Sequence, residues 1–219
     1  MARNTAPTFS YPADTVWAAA SAAQRINGAY IKAGQGYDAA TDTVKPSNRE
    51  LMLQLLDQRA GEVTEQDREH GVLVRKGSQA LMFDILKGKI LNEFQQTALA
   101  ISNRDEITSG YDIAVMASLP AGFERTQARN TVEQRVRFAQ GGLVGQVGDK
   151  VSARVEVLRS SFSQQWMTWF ITAVTEKDQP VFFSFKSELA VGSTVAITGT
   201  VKAHRDEQTQ VNRVKLVRN

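Results

Sequence analysis

Apolar positions recur at helical spacing over the first 140 residues and then, from Val144, at every second residue. Residues 14–32 (DTVWAAASAAQRINGAYIK) are alanine-rich and free of proline, and Asp14 is placed to cap a helix beginning at Thr15. The stretch AGQGYDAATDTVKPS reads as loop. Ser47 with Glu50 three positions on forms a capping box. The helix behind it carries Leu51, Leu55 and Gln58 on one face, with Met52 and Leu56 beside them, and stops at Gly61. Thr64 and Asp67 repeat the start signal for a segment reaching Lys87. There Val72, Leu73, Ala80, Phe83 and Leu86 line one side, and Gly71 and Gly77 divide the run. Ile90, Leu91, Phe94, Ala98 and Ile101 share a face in 90–102, a short apolar segment ends at Pro120, and a polar helix follows until Gly141 and Gly142 stop it.

The period-two part divides into five strands: VSARVEVL, QWMTWFITAV, VFFSFK, STVAITGTVKAH and QVNRVKLV. Space for a helical turn exists only between the third and fourth. Even spacing with one small insert predicts a compact five-stranded barrel. The fold class expected is therefore α+β: an all-helical domain, residues 1–140, joined by the Gly-rich hinge GGLVGQVG to an OB-like β-barrel, residues 141–219.

Composition removes function classes. Of 219 residues 42% are apolar and 22% charged, values of an ordinary globular chain. No run suits a membrane-spanning helix, and MARNTAPTFSYPADTVW lacks the apolar centre of a secretory signal, so a cytoplasmic location is expected, in the host cell if the protein is viral. The absence of cysteine excludes disulfides, thiolate zinc sites and cysteine nucleophiles. His70 and His204 are the only histidines, and both read as surface residues. The pairs Asp105–Glu106 and Asp206–Glu207 read as turn charges. No GxxxxGK[ST], GxGxxG or HExxH occurs, and GGLVGQVG lacks the helix a phosphate loop requires. No catalytic residue, metal or cofactor is expected. The net charge is +3, and it is concentrated: sixteen basic residues balance sixteen acidic ones up to residue 140, whereas ten face seven beyond it.

The segment VFFSFKSELAVGSTVAITGTVKAHRDEQTQVNRVKLV carries a strand ending in aromatics, then VGSTVAITGTVKAH, a charged turn and a closing strand. It resembles the OB-fold segments of many bacteriophage replication and recombination proteins, over residues 143–217. The resemblance implies a barrel that binds single-stranded nucleic acid through stacked bases and phosphate contacts. One departure is Ser184, where a bulky aromatic is expected.

Alternation assigns faces. Met167, Trp169, Ile171 and Ala173 form an apolar set for the interior, whereas Trp166, Thr168, Phe170 and Thr172 point outward. In the third strand Val181, Phe183 and Phe185 read as core, and Phe182, Ser184 and Lys186 as outward. Arg154, Arg159 and Phe162 come from the first strand, and Lys202, His204, Arg205, Arg213 and Lys215 from the last two, near the turn that flanks the groove. These residues are the candidate nucleic-acid contacts: aromatic faces for bases, cations for phosphates. The expected function is a non-enzymatic accessory protein of replication or recombination that binds single-stranded DNA, with RNA as the other ligand. Its helical domain would recruit replication or recombination proteins or self-associate through residues 14–32. The alternative is a protein-interaction module, in which the same aromatics serve packing and the helices assemble a complex.

Overall fold

A computed structural model describes residues 9–38 and 41–217. The start of the stretch read for an export signal, residues 1–8, lies outside the described residues, as do positions 39–40 and 218–219. The chain divides into two compact units, Met1–Thr126 and Gln127–Asn219.

The first unit is built around α1 (Ala13–Asn27). Ala13, Val16, Trp17, Ala19, Ala20, Ala22 and Ala23 are all buried in one core. The small side chains let other helices approach closely: α2 (Asn48–Asp57), α3 (Glu65–Gln79) and α6 (Gly110–Met116). The alanines of this helix are thus occupied by the chain's own core, and within residues 14–32 the exposed large apolar side chains are Ile26 and Tyr30. Asp14 does not cap; Pro12 occupies the cap position, and Asp14 instead accepts from Arg75 at 2.7 Å. The helix ends earlier than expected because Gly28 takes a left-handed conformation (φ +71°) and donates its N–H to the Gln24 carbonyl.

Both capping boxes form as the sequence indicates, Ser47 with Glu50 and Thr64 with Asp67. Beyond the second, the expected face is wrong. α3 runs unbroken through Gly71 and Gly77 and buries Asp67, Gly71, Val74 and Ser78; the break falls at Ala80, before α4 (Leu81–Leu86). Val72, Leu73, Phe83 and Leu86 are exposed. Gly71 explains the choice of face, since a Cβ there would lie 2.8 Å from the Trp17 carbonyl carbon. Contact with α1 outweighs the pull of the larger side chains. Asp67, almost fully buried, accepts two bonds from the Arg25 guanidinium, each 2.8 Å, besides those of Thr64.

In α5 (Glu93–Ser102) Ala98 and Ile101 are buried, whereas Ile90 precedes the helix and is exposed. Pro120 does not end a segment; it sits in the first turn of α7 (Leu119–Arg137), where its missing N–H costs nothing. His70 is half-buried rather than a plain surface residue, its Nδ1 3.2 Å from the Ser21 hydroxyl and its ring edge-on to Phe123.

The second unit is a closed five-stranded barrel: β1 (Lys150–Ser163), β2 (Thr168–Thr175), β3 (Pro180–Phe185), β4 (Thr194–Arg205) and β5 (Gln208–Leu216). The order around the barrel is β1-β2-β3-β5-β4, all neighbours antiparallel except β3 and β5. This mixed barrel is consistent with an OB-like fold. Val155, Val157, Ile171, Ala173, Val181, Phe183, Ile197 and Val211 fill it, with Leu189 from the β3–β4 connection. That connection contains bends and a turn; the space for a helical turn there is not used as one. The Gly-rich segment is not a free hinge either. Gly141 donates to the Asp178 carbonyl, Val144 to the Thr209 hydroxyl and Gly148 to the Val201 carbonyl, so it is fastened along the barrel.

Candidate nucleic-acid interface

Alternation along β2 and β3 gives the barrel two chemically different faces. Ile171, Ala173, Val181 and Phe183 point inward as expected, and Trp169 and Phe185 close the core at one end. Outward, Phe170 and Phe182 are half-buried and stack, ring centroids 5.7 Å apart and planes 21° from parallel. Arg159 of β1 lies in the same cross-strand row as Thr172 and Phe182, its guanidinium 3.5 Å from the Thr172 hydroxyl. Thr172 is itself buried, so the wet character expected for that position is absent.

Two assignments change because β2 starts later than the sequence suggests. Gln164–Met167 form the β1–β2 turn. Trp166 and Met167 therefore belong to a turn, and Met167, expected inside, is 74% exposed with φ +47°. Trp166 is 66% exposed. Phe162 sits on the inward-facing side at the barrel mouth, its ring 5.3 Å from that of Trp169.

The two ends of the barrel divide the cations. β3 and β5 run parallel, so Lys186, just past β3, and Lys215, near the end of β5, share an end. Arg205 is the last residue of β4, opposite Gln208 across the β4–β5 turn, and Gln208 is seven residues or about 23 Å of strand from Lys215. Arg213 and Lys215 were expected near that turn and instead stand at the opposite end. There they line an open cleft of about 820 Å³ with Trp166, Met167, Phe185 and Lys186. Phe185 and Met167 are cleft walls that alternation alone did not point out; the polar run Ser163–Gln165 was the sign of a turn that would have placed Met167.

No carboxylate lines this cleft, and Lys186, Arg213 and Lys215 have no salt-bridge partner among the described residues. Arg154 differs, standing 3.7 Å from Glu176. Lys202 and Arg205 are exposed, while His204 is half-buried with Nδ1 3.3 Å from the Thr209 hydroxyl. At the β2–β3 turn, Asp178 accepts the Gln140 N–H and an Arg135 bond of 2.5 Å, which hold its carboxyl below the usual range. Among the described residues no three imidazole or carboxylate side chains gather as a cation site, and no helix is long and apolar enough to cross a membrane.

Ten of the twelve sequence-predicted residues thus fall into three places: a stacked aromatic pair with Arg159 on the outer wall, a cationic cleft with Trp166 at one end, and Lys202, His204 and Arg205 toward the other. Arg154, beside Glu176, and Phe162, against Trp169, belong to none of them. In comparisons with known proteins, the chain matches no protein-family model, no curated protein and no solved structure.

Proposed function

We propose that the barrel binds single-stranded nucleic acid, DNA above all, without catalysing a reaction. The observation that carries this reading is the wall of β2 and β3, where stacked Phe170 and Phe182 are flanked by Arg159 and lead to exposed Lys186. Flat rings give unpaired bases about 1–3 kcal/mol each, and cations free of carboxylate partners follow the phosphates. The resemblance of residues 143–217 to phage replication and recombination barrels supports an accessory role in those processes.

Fluorescence anisotropy with a labelled oligo-dT of about 25 nucleotides tests it. The expected result is binding at low salt that weakens as salt rises, with a slope set by the number of phosphate contacts. No binding at low salt overturns the reading.

The helical unit favours a protein partner for a separate reason. Phe83, Leu86 and Ile90 are 63%, 75% and 96% exposed. A partner held by such side chains would resist salt, which separates its contribution from that of nucleic acid.

A further inference from the structure

Strand β5 contains an arginine where the backbone favours glycine. Thr198 pairs with Lys215 and Thr200 with Asn212, so Gly199 alone opposes Arg213 and Val214. The extra residue is a bulge. Arg213 takes φ +52°, the left-handed region that a side chain disfavours and glycine adopts freely. In the common form of such a bulge that position is glycine. Gly199 makes the arrangement possible, because a Cβ there would lie 2.5 Å from Val211 Cγ1 and 2.9 Å from the Asn212 carbonyl oxygen.

The bulge has a consequence at the surface. Strict alternation would send residues 213 and 214 to opposite faces in register with β4; the inserted residue breaks that register just before the cleft. Val214 packs against the barrel core, while Arg213 and Lys215 both line the cleft with Trp166 and Lys186. Met167 of the facing turn also has positive φ; the four other non-glycine residues with positive φ among the described residues, Asp42, Asp178, Asp206 and Glu207, are all acidic and lie outside the cleft. Backbone of positive φ thus stands on both sides of a cleft that joins an exposed indole to three cations with no salt-bridge partner among the described residues.

Resting on the single-strand reading above, we propose that this cleft is a one-nucleotide subsite: the base lies on Trp166, the phosphate is held by Arg213 with Lys186 and Lys215, and the bulge opposite Gly199 is the device that positions Arg213. The guanidinium offers planar, paired donors that suit a phosphate, which an amine cannot reproduce.

Arg213→Gly separates fold from function, because it relieves the backbone while removing the guanidinium. In the full chain, this variant is expected to unfold at the same or a higher temperature than the wild type. It should bind labelled oligo-dT about tenfold more weakly, with a salt slope lower by about 0.7. Arg213→Lys should recover the slope but not the full affinity. Oligo-dT should quench the exposed Trp166 in the wild type and do so less in Arg213→Gly, a change a merely structural arginine would not produce. If the wild type binds and Arg213→Gly binds equally well, the subsite is wrong and the single-strand reading stands. If Arg213→Gly is markedly less stable, the bulge geometry is wrong. If the wild type does not bind oligo-dT, both fall.

Discussion

Phe170 and Phe182 meet diagonally across the β2–β3 ladder: Phe170 is directly opposite Ser184, and Phe182 is opposite Thr172. The serine that departs from the expected aromatic is thus the cross-strand neighbour of one ring of the stack. Phe182→Ala is expected to weaken oligo-dT binding by about 1–3 kcal/mol. Its effect on stability should be about 1–3 kcal/mol, from the lost ring–ring contact and the lost burial of a half-buried ring. Anisotropy and thermal unfolding of the same sample decide the matter. Unchanged affinity with a lowered melting temperature would identify the pair as packing alone.

Two helical glycines should respond in opposite directions. A Cβ at Gly71 would meet the Trp17 and Ala18 backbone at 2.8–2.9 Å, whereas nothing lies within 4 Å of one at Gly122 in α7. Gly71→Ala is expected to destabilise by about 2–3 kcal/mol, since backbone rather than a flexible side chain must move. Gly122→Ala should stabilise by about 0.5–1 kcal/mol through helix propensity. Urea unfolding of both variants checks the sign.

These glycines show where the sequence was readable. The capping boxes at Ser47 and Thr64 and the alternation of Ile171, Ala173, Val181 and Phe183 are local signals, and the structure has them as read. The burying face of α3 was not local. It depends on Gly71 meeting α1, a partner 54 positions away, and periodicity weights Leu73 or Phe83 above a residue with no side chain. The cleft was hidden for a similar reason. Trp166 and Arg213 were picked out by residue type, but only strand register and a bulge bring them together. Gly199 within a strand pattern was the available hint of that bulge.

The Arg25–Asp67 pair gives the helical unit a pH dependence. Burial disfavours the Asp67 charge, but bonds from Arg25 and Thr64 outweigh it and hold the carboxyl below its ordinary 3.8. A depressed carboxyl stabilises the folded state fully above the unfolded value and loses that contribution as pH falls through the folded one. Asp67→Asn is therefore expected to cost about 2 kcal/mol near neutral pH. The gap from wild type should close as pH drops below about 4, measured by urea unfolding. Glu50, also depressed, is held by Ser47 and titrates in both proteins, so it cancels in the difference. A constant gap would mean that geometry rather than charge makes the contribution.

The cations should not contribute equally to binding, and their partners say how. Lys186 and Lys215 line the cleft without a carboxylate, so Lys186→Ala and Lys215→Ala should each lower the salt slope by about 0.7. Arg154 stands beside Glu176, both largely exposed, and the pair presents almost no net charge to a phosphate. Removing both together, Arg154→Ala with Glu176→Ala, is expected to leave oligo-dT affinity within about twofold of wild type, because exposed pairs contribute little and the net charge is kept. Binding isotherms at several salt concentrations measure all three. Equal slopes for the lysine variants and the wild type would mean that the strand does not pass the cleft. A large loss in the double variant would instead move the path of the phosphates toward Arg154.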